Sequence, residues 1–455
     1  TKRRAFIKKG LVGTTGVAVG LSFSAKSYAS ILGANERINL AVIGIRGQGN
    51  GHIKKWVSLK DNRNVSLQYI CDVDEDLFAE RIQLVVDAGQ EAPKTEWDMR
   101  RIFDNQVIDA VSIATPNHWH ALATIWAAQA GKHVYVEKPS NHNVFEGRQM
   151  IDAADKYKVR VQVGFQNRSI ANVRKAIKFL HEGGIGEVYM AKGNCFKPRD
   201  SFGISEDSEP PEGLHYDMWL GPAAYRPYNE KRGHYNWHWH WNTGNGDTGN
   251  QGPHQFDIAR WGLNKNEHPV TIASAGGIFG IDPQECSQET PNTQTSLFTY
   301  QDGKILEFET RGRYTNGEGS LDIRIGNTFY GTEGYLELRG KNWKAFRQRE
   351  KEPFAGSSME PAEAPEDPTF MAAPGGSEHY ANFIDAIRSG NEDDLHCDVV
   401  EGVMSSDLPL LANIAYRQRK QLTFDGVNEK FVDDPEADRM LTREYRSPYI
   451  VPDAV

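Results

Sequence analysis

Cysteine is scarce in this 455-residue chain, and the four present (Cys71, Cys195, Cys286, Cys397) show no C-x-x-C spacing. That argues against a cysteine zinc site and a disulfide framework. A basic excess is also missing: 52 Lys and Arg stand against 61 Asp and Glu, for a formal net charge of −9. Nucleic acid is therefore not an expected partner, because a phosphate-binding surface needs clustered positive charge. No apolar run approaches the roughly 20 residues of a membrane span, so stable insertion is not expected. Internal repeats are absent. The chain does have enough length for two hydrophobic cores. It also has 10 Trp and 17 Tyr, rings that serve cores and carbohydrate ligands alike.

Residues 1–36 read as a leader. They open Thr1-Lys-Arg3-Arg4-Ala-Phe6-Ile7-Lys8-Lys9, continue through GLVGTTGVAVGLSFSA and reach Ser27-Tyr28-Ala29. A basic region, a short apolar region and a small-residue end are the parts of an export signal. The twin arginine resembles the Tat type. The expectation is a periplasmic protein that carries any nucleotide tightly, since that compartment offers no pool for exchange.

From Arg37 onward, short apolar runs alternate with helix-compatible stretches. The strand candidates are Arg37–Gly44, Val65–Asp72, Asp109–Thr115, His133–Val136 and Val159–Val163. Near-continuous apolar strands separated by helices indicate a parallel sheet covered on both faces. Beyond about residue 187 longer strands dominate, with hairpin signals at Gln301-Asp302-Gly303 and at Gly331 to Gly334. These predict an α+β domain with an open, mostly antiparallel sheet, following an α/β Rossmann-type sheet. The expected division is 37–160 for the first domain, 161–430 for the second and 431–455 for a C-terminal tail. A loop-rich insert at 198–250 and a Pro-rich stretch at 352–376 interrupt the second domain.

The run Gly44-Ile-Arg46-Gly47-Gln-Gly49 follows the first strand and opens a helix. In that place glycines permit a tight turn and close packing, and free N–H groups at the helix start hold a pyrophosphate. The middle glycine of G-x-G-x-x-G is Arg46; either Gly47 keeps the backbone accessible or Arg46 itself reaches a phosphate. Asp72 ends the second strand, where an acid accepts hydrogen bonds from ribose hydroxyls. A carboxylate there repels a 2′-phosphate, so NAD is expected over NADP.

Thr115-Pro116-Asn117-His118-Trp-His120 after the third strand and Glu137-Lys138-Pro139 after the fourth complete a set. With Val163-Gly164-Phe165-Gln166-Asn-Arg168 and Gly252-Pro-His254-Gln-Phe-Asp257, the chain resembles the Gfo/Idh/MocA (glucose–fructose oxidoreductase / inositol dehydrogenase) family. The resemblance covers most of residues 37–425. It implies a tightly held nicotinamide dinucleotide, sugar or polyol substrates, and homo-oligomers formed through the open sheet. It also implies that Thr115, Pro116, Asn117, His120, Glu137 and Gln166 line the cofactor. Lys138 is then placed beside the nicotinamide and the substrate hydroxyl, with His254 as the second proton-handling group. The family often carries an aspartate four residues before its histidine; here that position is Asn250, with Asp247 a turn earlier.

Oxidising a carbinol requires a group that takes the hydroxyl proton at working pH. Lys138 does so itself or holds the oxygen while His254 takes the proton. Trp237, His238 and His240 are expected to stack on a sugar and hydrogen-bond its hydroxyls, with Arg168 and Asn250 as further substrate contacts. The H-x-H spacings lack a third ligand, so no metal is expected. Three functions use these residues: a sugar dehydrogenase, an NAD-dependent glycosidase working by transient oxidation and elimination, and a sugar-binding protein without catalysis.

Overall fold

The computed structural model describes residues 36–313, 315–357 and 376–455. All but the last residue of the leader expected at 1–36, and most of the Pro-rich stretch, lie outside them. Six short strands build the first sheet: β1 (Ile38–Ile43), β2 (Val65–Cys71), β3 (Lys94–Glu96), β4 (Ala110–Ile113), β5 (His133–Val136) and β6 (Val161–Val163). All pair in parallel, in the order β3-β2-β1-β4-β5-β6. The chain turns back from β1 toward β2 on one side and β4 on the other. Their C-terminal ends diverge there, which opens a crevice outside the sheet.

Helices cover both faces. α1 (Gly47–Ser58) and α2 (Phe78–Asp87) join the first strands, while α3 (Asn117–Gln129) and α4 (Val144–Tyr157) follow β4 and β5. The sequence of α3, NHWHALATIWAAQ, is apolar almost all round, and nearly every residue of it is buried. Such a helix needs cover on its outer side too.

The second domain contains α5 (Ala171–His181), β7 (Val188–Phe196), α6 (Gly252–Gly262), β8 (Thr271–Gly277), β9 (Thr293–Thr299) and β10 (Ile305–Arg311). It continues through β11 (Ile325–Gly331), β12 (Gly334–Arg339), β13 (Asn342–Arg347), α7 (Gly376–Ser389) and α8 (Val399–Gln418). These strands and three two- to four-residue ones form a ten-stranded sheet, antiparallel except where β7 lies parallel to β10. Both expected hairpins form, Thr299 opposite Ile305 and Tyr330 opposite Tyr335; β13 had no distinct sequence signal. Phe256 of α6 packs on Phe298 and Phe308 of the sheet. Leu297 and Tyr189 stand exposed on the strands, as expected for a sheet with one solvated face.

The division between the domains is less linear than sequence order suggests. α7 returns to the first sheet, where Tyr380 packs against Trp56 at 4.8 Å and Tyr135 at 4.5 Å. The last residues cover α3: Tyr449 lies edge-on to Trp119 at 5.4 Å, and Arg446 bonds the carboxylate of Asp217. A chain of hydrogen bonds fixes α7 against the domain junction. His379 Nε2 donates to Val163 O (2.9 Å), Ser169 Oγ lies 2.7 Å from Nδ1 of both His379 and His396, and Arg174 donates to His396 Nε2 (2.8 Å). Neutral tautomers satisfy every link, and burial lowers the His379 pKa to about 4.

Candidate active site

Gly44 ends β1 with φ +80°, and a Cβ there would lie 2.7 Å from Ala114 C. A Cβ on Gly49 would lie 1.7 Å from the Gly44 oxygen, so the start of α1 rests directly on the turn. Gly47 is different: nothing lies within 4 Å of its Cβ position, and it lines a cavity of about 330 Å³. The helix start therefore opens onto empty space, as a pyrophosphate site requires. Arg46 forms an ion pair with Asp74 at the mouth, which leaves the glycine backbone as the anion-facing surface.

Asp72 accepts from Ile45 N (2.7 Å) and Asp74 N (3.0 Å). Burial pushes its pKa up to about 6 against the pull of those two bonds. Farther along, Thr115 Oγ1 and Asn117 Nδ2 are buried without hydrogen-bond partners, and both residues line the cavity with Pro116. Orphaned polar atoms in a crevice that also offers an open helix start and a carboxylate at the end of β2 fit a dinucleotide. His120 braces this wall, bridging Thr115 O (2.8 Å) and Pro139 O (2.6 Å), and so joins the ends of β4 and β5.

Glu137 is a buried hub. Its Oε1 accepts from Gln166 Nε2 (2.8 Å) and Gln48 Nε2 (3.2 Å) and lies 3.1 Å from His52 Nε2. Burial would raise its pKa, but the bond and charge of His52, with Lys138 and His254 behind, outweigh it and hold it at about 2. Next along, before a cis Pro139, Lys138 donates from Nζ to Asn250 O at 2.9 Å. Burial lowers the Lys138 pKa, and Lys197 adds to the effect against Glu137. His254 lines the same cavity; its Nδ1 has no partner, and its ring meets Phe165 edge-on at 6.0 Å. Burial, then the Lys138 charge, lower it to about 3.

Asn250 meets the lysine through its main chain. Asp247, the carboxylate a turn earlier, is occupied by Arg199 through bonds of 2.7 and 2.8 Å. Trp237 and His238 line the cavity, as does Asn250. His240 does not: it lies 3.5 Å from Glu289 and packs on Phe202. Arg168 likewise misses the cavity, because Asp257 (2.9 and 3.0 Å) and Glu401 (2.8 Å) hold it in a buried ion cluster. These two residues are structural rather than ligand-facing. Among the described residues, no group of three His, Cys, Asp or Glu side chains is placed to hold a metal.

Several lining residues escaped the sequence analysis. Gln48 and His52 sit four apart on α1 and reach one carboxylate, a helical spacing that could have drawn notice. Lys197, at the end of β7, lines the cavity and donates to Gln251 Oε1 at 3.0 Å; only strand pairing brings it there. The insert also closes over the end of β2. His215 N donates to Val73 O (2.8 Å), Glu75 N to Gly213 O (3.1 Å), and the His215 ring stacks on Trp97 at 4.1 Å.

Comparison with known proteins agrees with this geometry. Residues 38–165 match the NAD-binding Rossmann fold of the Gfo/Idh/MocA oxidoreductase family, and residues 199–317 and 363–451 match its C-terminal alpha/beta domain. Levoglucosan dehydrogenase of Pseudarthrobacter phenanthrenivorans is 39% identical over 105 residues, 23% of this chain and 26% of that one. A glycosyl hydrolase family 109 protein of Saccharopolyspora erythraea is 27% identical over 165 residues, 35% of each chain. The matches thus span about a quarter and a third of these relatives. A solved levoglucosan dehydrogenase in complex with NADH and levoglucosan shares the fold, with a TM-score of 0.62 at 20% identity over 88% of this chain and 100% of that one. With both of its domains matched and an NAD-binding Rossmann half, the chain belongs to the Gfo/Idh/MocA oxidoreductase family.

Proposed function

We propose that the protein oxidises a ring hydroxyl of a sugar or glycoside with NAD held in the crevice between Gly47, Asp72 and Lys138. The observation that carries this is Lys138, half-buried at a strand end and held by Asn250 O (2.9 Å), in the cavity that also opens onto the glycine turn. Bound NAD supplies the hydride acceptor. Gly47 leaves room for the pyrophosphate, and Asp72 accepts from the adenosine ribose. The Lys138 ammonium holds the substrate oxygen, His254 handles the proton, and Trp237 offers a ring for the sugar face.

The clasp of Gly213–His215 on the end of β2 supports a nucleotide that stays bound between turnovers. A retained cofactor must be restored within each cycle. That favours, as a second reading, a glycosidase that oxidises, eliminates, hydrates and returns the hydride, and the similarity to a glycosyl hydrolase family 109 protein supports it. Export to the periplasm and assembly through the solvated face of the large sheet complete the proposal. A non-catalytic sugar-binding role is the reading that half-buried Lys138 and His254, together in one cavity, argue against.

The test is incubation of the purified protein with aryl glycosides and free sugars, without added cofactor. Many turnovers of released phenol support the glycosidase. Near-ultraviolet absorbance of reduced nicotinamide without phenol supports the dehydrogenase. Silence in both, with sugar still raising the melting temperature, overturns catalysis.

A further inference from the structure

Resting on the oxidation proposed above, we propose that His238 is a second base, which removes the proton from the carbon next to the newly formed carbonyl of the sugar.

His238 sits on the short turn Asn236–Trp239 of the insert, a different segment from those bearing Lys138 and His254, yet it lines the same cavity. Its Nδ1 lies 2.6 Å from Tyr235 O. A carbonyl only accepts, so Nδ1 carries the hydrogen and Nε2 keeps the lone pair. Nε2 has no hydrogen-bond partner among the described residues. The ring is fixed as well as the tautomer: Trp237 stacks on it at 3.6 Å and 21°, and Tyr235 flanks it at 4.6 Å. His254 has none of this preparation, since nothing bonds its Nδ1.

Oxidising a carbinol releases one proton, and Lys138 with His254 suffices for it. A third group with a fixed tautomer and a free lone pair matches a second proton transfer. In that step the C–H bond beside the carbonyl breaks. Its proton goes to Nε2, its electron pair enters a new C=C bond, and the negative charge passes to the carbonyl oxygen, held by the Lys138 ammonium. Where the next carbon bears a leaving group, the electrons expel it. Otherwise the proton returns.

The experiment uses the protein with its bound nicotinamide in deuterium oxide, with a panel of sugars and glycosides. Nicotinamide reduction is read by absorbance and deuterium entry beside the oxidised carbon by NMR. Wild type is expected to show both, and in His238→Asn the ratio of exchange to reduction falls by at least about 10²-fold. An unchanged ratio in the variant, or wild-type reduction without exchange, overturns the second base while leaving oxidation standing. Absence of reduction with every sugar sinks the oxidation, and the second base with it. If the variant does not fold, long-range proton–nitrogen NMR on wild type decides: a protonated Nδ1 with bare Nε2 at His238 is expected, and the reverse tautomer overturns the assignment.

Discussion

The Nζ of Lys138 lies 2.9 Å from the main-chain oxygen of Asn250, so the backbone of the short helix Gly246–Asn250, and not an acidic side chain, holds the lysine. Asn250→Asp adds a carboxylate where only an amide stands. An opposite charge favours the ammonium, so the limb of the pH–rate profile that reports Lys138 moves upward by about one unit. A profile that keeps its position sinks the assignment of that limb to Lys138.

Two glycines three and five positions beyond Gly44 should respond in opposite ways. Gly49→Ala drives a Cβ to 1.7 Å from the Gly44 oxygen, and overpacking of this kind costs about 1–3 kcal/mol. Gly47→Ala meets no protein atom within 4 Å, so its melting temperature stays near wild type while its retained nucleotide falls. Melting curves and nucleotide content after gel filtration check both; full retention in Gly47→Ala counts against the pyrophosphate site.

Arg168→Ala leaves Asp257, wholly buried, without its main counter-charge. Removing one partner of a buried ion pair costs about 3–5 kcal/mol. Denaturant unfolding should report that loss, while the KM for sugar in the folded fraction stays unchanged. A raised KM with stability intact restores Arg168 to the substrate.

Acid should destabilise the protein early. Burial holds His118 and His238 at about 3 and His379 at about 4. Each folded value lies below the unfolded one, so the unfolded chain binds the extra proton. The stability is full above about pH 6.5 and drains as pH falls toward those values, at up to about 1.4 kcal/mol per unit for each histidine. Urea unfolding at a series of pH values below neutral gives the slope; a flat profile contradicts neutral buried imidazoles.

The Rossmann half was legible because its signals are local. An apolar run, a glycine turn and an acid at the next strand end are neighbours in sequence, and Gly44, Asp72 and Lys138 were found by position along strands. The second sheet gave up its strands and hairpins but not their order, because β7 between β10 and β11 is a pairing of segments more than a hundred residues apart. The same distance hid Lys197. Arg168 and His240 misled for a related reason: a polar side chain beside a motif looks the same whether it faces a ligand or a buried carboxylate. Asn250 was judged by its side chain, whereas its main-chain oxygen makes the contact.

The cover that Tyr449 gives to Trp119 has a consequence for biosynthesis. The first sheet begins at Ile38, yet its outer helix is capped by Tyr449, which is translated long after Trp119. A ribosome-bound chain thus carries that domain with an indole face still bare while the whole second sheet is being made. Its completion must wait until Tyr449 has left the ribosome.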